Sequence, residues 1–333
     1  MISSLSTTVP PLWAGDRGPE LVELTAQQDR VGVDDPATHN VDPLALFTAW
    51  FGPGDRRLKP VHQPSSVRFH PKRVRVFRPS SGPRRLAIDT RHFADQIRIA
   101  YTLDGETTSV SRLEQFDFEL LPRLLSMREF ARRLSQQNKP VATWMHTVGH
   151  HVGAESHHER SLMTIADFHP AVHFISGQPF TMLWPAGAPL KTHTPDVMTL
   201  GPSNTALIID VRTPEEAAAD DWVRKVPAIA EAARSIGMGY AIWTGMSRPF
   251  RRNLENLSEA FVPAISYDRW SQAALDLCDE AMPATELADR LDASGYQRLW
   301  SLTLIRRMLW RRALLTDMFS PYSQQSRVWR NDD

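Results

Sequence analysis

The sequence predicts an α/β fold: a mixed-sheet core flanked by helices, an N-terminal β-rich module and a C-terminal helical domain. Three observations carry this. Between residues 154 and 243 a helical pattern precedes several strand-like runs, then a second helical pattern and one more strand. Residues 65–115 hold short alternating runs around Asp104-Gly105. Beyond residue 250 apolar stripes at helical spacing carry arginines on another face. The expected partition is an acidic, partly disordered arm over 1–60, a basic β-rich module over 61–118, the core over 119–249 and the helical domain over 250–333.

At 333 residues the chain is long enough for two or three domains. A single cysteine, Cys278, excludes an internal disulfide framework and a four-cysteine zinc site, and suits a reducing cytoplasm. No apolar run approaches membrane-spanning length, and the first residues lack a cationic start followed by an apolar stretch. The formal net charge is zero, but it is unevenly spread. Residues 1–45 hold seven acids and two arginines, residues 56–85 ten cations and no acid, and residues 290–330 eight arginines against two aspartates. Such polarity points to a polyanionic partner that the mean conceals.

In chain order, the arm is rich in Pro, Gly, Thr and Asp. Leu44 to Phe51 predicts a short helix, stopped by Gly52-Pro53-Gly54. Lys72 to Arg78 alternates cation and apolar residue, placing Arg73 and Arg75 as candidate DNA contacts on one strand face; a merely solvated basic face is the other reading. Gln96–Leu103 and Thr107–Leu113 read as a hairpin about Asp104-Gly105, a pair that supports a type I′ turn. Leu120 to Lys139 includes a helix leading into the core.

In residues 154–168, Glu155, Glu159, Leu162 and Ala166 share one helical face, and Pro170 ends the helix after Phe168. Val172 and Phe174, then Phe180, Met182 and Trp184, alternate as strand residues about a break at Gly177-Gln178-Pro179. Asp196 to Leu200 begins a strand, Gly201-Pro-Ser-Asn204 turns it, and Ala206 to Val211 returns as an apolar run covered on both faces. Thr213-Pro214-Glu-Glu216 starts a helix with a stripe from Trp222 to Ile236 and a kink or break at Pro227. Tyr240 to Trp243 supplies the last strand.

Ala284–Leu291 and Ser301–Leu315 read as two helices joined across Ala293-Ser-Gly295, and Asp317–Ser320 with Arg327–Arg330 as strands of a wing. In a winged helix the second helix meets DNA, which makes Arg306, Arg307, Arg311 and Arg312 candidate contacts. A helical cap with a basic rim is the alternative. Eight of the twelve histidines fall between 146 and 193. Adjacent His-His pairs point apart and no cysteine is near, which argues against zinc.

The chemistry concentrates between Glu155 and Arg212. Two strands joined by a turn bring Asp196 and Asp210 to one edge, and a packed helix adds Glu159. Carboxylates converging there suit Mg²⁺, or Mn²⁺ in its place, because a hard cation takes oxygen ligands while keeping several waters. A neighbouring cation, Arg212, would position the nucleophile or the phosphate. The alternative is a set of solvated acids at helix start, turn and strand end.

The order Glu159, Pro195-Asp196, Asp210-Val-Arg212 is that of a PD-(D/E)xK nuclease motif. With Gly153-Ala-Glu155-Ser156, Asp167-Phe-x-Pro170-x-Val172, Gln178-Pro-Phe180, Trp184 and His193-Thr-Pro-Asp196, it resembles the TnsA-like endonuclease subunits of heteromeric transposases over roughly residues 120–245. The resemblance implies a restriction-endonuclease-like core and a C-terminal winged-helix-like region. It implies Glu159, Asp196 and Asp210 as metal and catalytic carboxylates with Arg212 as the catalytic cation. Glu155, Gln178 and His193 become supporting candidates around them. It further implies Mg²⁺-dependent hydrolysis of double-stranded DNA at transposon ends, beside a separate transposase and an ATPase regulator. A bacterial cytoplasmic protein on the nucleoid during transposition, with no membrane, follows. Where the family usually has lysine this chain has Arg212, and Lys225 on the next helix is either its substitute or a solvated surface residue.

Overall fold

A computed structural model describes residues 42–60, 95–128, 140–188 and 190–332. The arm before residue 42, the strand with Arg73 and Arg75, and residues 129–139 lie outside the described residues.

The first helix, α1 (Ala45–Phe51), ends at Gly52, whose φ of 79° is a left-handed stop free of strain for glycine. Strands β1 (Arg98–Tyr101) and β2 (Ser109–Arg112) form the expected antiparallel hairpin. Its connection is longer than a two-residue type I′ turn, since Tyr101 pairs with Ser109. Asp104 Oδ1 explains this: it accepts from Glu106 N, Thr107 N and Thr102 Oγ1 and closes a local polar turn instead. Strands β3 (Val141–Met145) and β4 (His150–Ala154) form a separate two-stranded sheet.

Helix α2 (His157–Phe168) starts two residues after Glu155 rather than before it. Ser156 takes the N-cap position, its Oγ accepting from Glu159 N, and so Glu155 lies outside the helix. Strands β5 (Phe174–Gly177) and β6 (Phe180–Leu183) flank the expected break, where Gln178 has a left-handed φ of 49°. The break passes the chain from one sheet to another. β6, with β7 (Thr192–His193), joins the first hairpin in the order β2-β1-β6-β7. The hairpin therefore shares a sheet with the core, and residue 118 is not a boundary between sheets.

Strands β8 (Val197–Leu200) and β9 (Ala206–Val211) pair antiparallel about the Gly201–Asn204 turn. Every residue of both strands is buried, as a covered central strand requires. Thr213 caps α3 (Pro214–Ala218) in a full capping box with Glu216. The long helix expected here is three: α3, α4 (Asp220–Val223) and α5 (Val226–Ser235). The breaks fall at Ala219 and Arg224-Lys225, while Pro227 sits in the first turn of α5, where a missing N–H costs nothing. β10 (Gly239–Trp243) pairs parallel with β9, giving a mixed sheet in the order β10-β9-β8-β5. Helix α2 packs on β5, β8 and β9, and α5 on β10.

The C-terminal part runs α6 (Arg248–Ser258), α7 (Ala264–Leu277), β11 (Met282–Pro283), α8 (Ala284–Ala293), α9 (Arg298–Trp310), β12 (Leu314–Thr316) and β13 (Arg327–Arg330). Its sheet is antiparallel in the order β11-β13-β12. The strand expected over Asp317–Ser320 lies earlier. Asp317 accepts from Phe319 N and Ser320 Oγ, and this turn ends β12. Helix α9 stops at Trp310, short of Leu315, and Arg312 turns left-handed beyond it. The chain is thus a mixed α/β protein, and no helix among the described residues is long and apolar enough to cross a membrane.

Candidate active site

The β8–β9 pairing decides where the acids fall. Val197 lies opposite Ile209, so Asp196, just before β8, stands level with Asp210. Asp196 Oδ2 accepts from Val211 N (2.8 Å) and Arg212 Nη1 (2.7 Å). Asp210 is fully buried; its Oδ2 accepts from Tyr240 Oη at 2.5 Å and lies 3.0 Å from His193 Nε2, out of line for a hydrogen bond. Its Oδ1 is buried without a hydrogen-bond partner among the described residues. Glu159 turns to its own helix start, Oε2 accepting from Glu155 N (2.8 Å) and Oε1 from Ser156 Oγ (3.1 Å).

Burial and crowding set the protonation. Burial, then the nearby Asp196 charge, pushes the Glu159 carboxyl up to about 8. Burial and Asp210 lift Asp196 to about 6, against the pull of Arg212 and the Val211 N–H. Burial also works against Asp210, but His193, Arg212 and the Tyr240 hydroxyl outweigh it and hold this carboxyl below its ordinary value. Tyr240, raised by burial and by Asp210, remains a proton donor. Asp210 is thus the most acidic of the three and Glu159 the least.

Arg212 joins two elements. Its Nη1 also donates to Val211 O (2.5 Å), and its guanidinium lies 4.2 Å over the Trp222 ring. Lys225 Nζ instead bonds Asp221 Oδ2 at 2.7 Å, across the break between α4 and α5. Glu155 supplies only its backbone N–H to Glu159, because its side chain pairs with Arg128 (3.1 Å). Gln178 donates its N–H to Asp196 O (2.9 Å), and both polar atoms of its buried side chain lack hydrogen-bond partners among the described residues. His193, on β7, sits beside Asp210.

Tyr240 and Trp222, a strand and a stripe residue by their pattern, finish the site. Tyr240 lies on β10, the parallel neighbour of β9, a pairing that no local pattern encodes.

The candidate DNA contacts divide differently. Arg307 is 1% exposed, its Nη1 3.4 Å from His146 Nδ1, and burial draws its pKa down to about 10. It is therefore not a surface contact: α9 packs against α6, and the Trp310 ring meets His146 and Phe168 at tilted angles. Arg311 lies 4.3 Å over the Tyr267 ring, Arg312 5.6 Å over Phe168, and Arg306 donates to Asn256 O. Arg73 and Arg75 lie outside the described residues.

Among the described residues no three His, Cys, Asp or Glu side chains form a ready metal-binding group. The donor chemistry nonetheless fits a hard cation at two of the three carboxylates. Asp210 keeps an orphaned Oδ1, and Asp196 commits only Oδ2. One or two carboxylates with several waters suffice for Mg²⁺. No protein-family model matches the chain, and no curated protein matches it at a significant level.

Proposed function

We propose that the chain is a metal-dependent DNA endonuclease subunit of the PD-(D/E)xK kind, similar to the TnsA-like subunits of heteromeric transposases. The observation that carries this reading is the meeting of Asp196, Asp210 and Arg212 at the end of a buried hairpin. The order α2-β5-β8-β9-α5-β10 around a mixed sheet supports it, being the order of a restriction-endonuclease-like core. The order α7-β11-α8-α9-β12-β13 likewise supports a winged-helix-like region. With α9 turned inward at Arg307, and with Leu299 and Trp300 exposed at its start, this region serves a protein partner rather than base reading. A transposase subunit and an ATPase regulator, and duplex DNA at transposon ends, are the partners this reading assigns.

Asp196 and Asp210 would hold Mg²⁺, with Glu159 as their acidic neighbour. When bound, Mg²⁺ supplies positive charge at the phosphate and acidifies water. Arg212 acts electrostatically on the scissile phosphate, because a guanidinium releases no proton near neutral pH. His193 accepts a proton, with Asp210 stabilising the resulting cation. Gln178 offers one donor and one acceptor to orient water or phosphate.

A second reading has its own support. Arg212 already neutralises Asp196, and Tyr240 and His193 occupy Asp210, as in a degenerate subunit kept for DNA binding and assembly. Cleavage of transposon-end duplex in Mg²⁺, with and without the neighbouring gene products, separates the two. Cutting that disappears in Asp196→Asn and Asp210→Asn supports the nuclease. DNA and partner binding without cutting in any mixture leaves the assembly role.

A further inference from the structure

A row of arginines borders the candidate site where the chain leaves β10. The parallel pairing of β9 and β10 brings both strand ends to one edge, and there Arg212 N donates to Trp243 O (3.0 Å). His158, in the first turn of α2, braces that edge. Its ring lies 4.7 Å from the Trp243 ring, and its Nε2 donates to Arg212 O (3.1 Å). Ser247 then caps α6, its Oγ accepting from Phe250 N, and α6 packs on α2. Helix α6 thus starts at the edge that holds Asp196 and Arg212, and Arg212 keeps 24% of its side chain exposed.

The two faces of α6 differ. Phe250, Asn253, Leu254 and Leu257 are buried, while Arg248, Arg251 and Arg252 are exposed at the three- and four-residue spacing of one face. Among the described residues none of these three guanidinium groups has an ion pair or a hydrogen bond, although Glu255 stands one turn further on. Surface cations on other helices are paired: Arg234 with Glu231 on α5, and Arg290 with Glu286 on α8. Arg248 and Arg251 also fall within the first four positions of α6, whose first turn holds no acid. Cations there oppose the aligned peptide dipoles at about 0.3–1 kcal/mol each, a cost that an external polyanion removes.

One turn past Arg252, Asn256 O accepts from Arg306 Nη2 of α9. Arg248, Arg252 and this anchor of Arg306 follow at four-residue intervals, a row of about 12 Å at about 1.5 Å per residue. Such a row spans roughly three to four phosphates of one duplex strand, at about 3.4 Å each along the helix axis.

We propose that this face of α6 is the duplex-binding surface: Arg248, Arg251, Arg252 and Arg306 hold backbone phosphates and lay the DNA toward the β9–β10 edge. Duplex DNA as the ligand rests on the nuclease reading, but phosphate binding along α6 does not depend on cutting. The contacts fall on α6 rather than α9, where Arg307 is buried and Arg311 lies over Tyr267.

The test is the affinity of the full chain for duplex DNA across a salt series, without divalent metal, read by fluorescence anisotropy. Wild-type affinity should fall steeply with salt. Arg248→Gln, Arg251→Gln and Arg252→Gln combined should make the log–log slope shallower by about 2–3, and Arg252→Gln alone by about one. The Tm of the combined variant should hold or rise, because cations leave the start of a helix. Arg234→Gln, at the end of α5 and so at the opposite edge of the sheet, should leave the slope unchanged. A wild-type slope in both α6 variants overturns the inference and assigns these arginines to an acidic protein surface. No duplex binding by the wild type, or an equal change in Arg234→Gln, overturns it as well. A chain that binds through α6 and never cuts keeps the inference and loses the nuclease reading. One that cuts while the α6 variants keep the wild-type slope loses the inference alone.

Discussion

Glu159 is the acid on which the electrostatics can be tested without any substrate. Its carboxyl is raised from an ordinary 4.5 to about 8, first by burial and then by Asp196. A raised carboxyl favours the folded state while protonated, so this contribution is full below pH 4.5 and is lost as the pH climbs to about 8. At about 1.4 kcal/mol per pH unit, the interval sets an upper figure of about 5 kcal/mol of destabilisation above pH 8. Glu159→Gln removes the charge and keeps a side chain that still serves the α2 start, since its amide oxygen can accept from Glu155 N as the carboxylate does. Its stability advantage over the wild type should therefore grow by about 3 kcal/mol between pH 5.5 and 8.5. Urea unfolding followed by circular dichroism at the two pH values measures it. Mg²⁺ at pH 8.5 should stabilise the wild type and shrink the difference, because a bound cation favours the ionised carboxylates. An advantage of the Glu159→Gln variant that stays constant with pH would refute the argument, and with it the view that these acids share one buried field.

Three further outcomes follow from the same geometry. On the nuclease reading, Arg212→Lys should keep cutting, whereas Arg212→Ala should lower it roughly 10²–10³-fold, the usual cost of one preorganised charge donor, as a cleavage time course will register. Arg307→Met should stabilise the protein by about 1–2 kcal/mol in chemical denaturation, because a buried guanidinium beside His146 is replaced by an apolar chain of similar length. Gly177→Ala should destabilise by about 2–3 kcal/mol, since a Cβ there would stand 2.4 Å from Gly153 O, where β4 crosses β5.

Much of the core is legible in the sequence because its signals are local. The run Ala206–Val211, the Gly201–Asn204 turn and the Thr213-Pro214-Glu-Glu216 start each act over a few residues, and each lands where expected. The failures share a different cause. Glu155 is drawn from the helix because Ser156 competes better for the cap, a contest between neighbours that apolar periodicity does not register. The hairpin at residues 98–112 belongs to a sheet whose other strands lie 70 residues later, so composition alone separates what pairing joins. Arg307 has the spacing of a surface cation, yet it is buried beside His146, and nothing within α9 announces that contact.

The site itself divides along the same line. Asp196, Asp210 and Arg212 are within one hairpin, so their convergence follows from turn and register. Tyr240 enters through a parallel strand, and a parallel pairing requires a crossover whose landing point is set by packing of α5 rather than by local sequence. This distinction bears on how the carboxylates are tuned. Asp196 takes its side-chain partner from two residues beyond Asp210, whereas Asp210 meets Tyr240 and His193 from other strands. Loosening β10 should therefore release Asp210 while leaving the Asp196–Arg212 pair in place. Tyr240→Phe isolates that effect: it keeps the ring, removes one donor from a fully buried carboxylate, and should cost about 1–3 kcal/mol of stability above neutral pH. The loss should fade once acid protonates Asp210, since the neutral carboxyl no longer needs the phenol. A loss of equal size at low and high pH would mean that Tyr240 acts by packing, and that the hydroxyl does not govern Asp210.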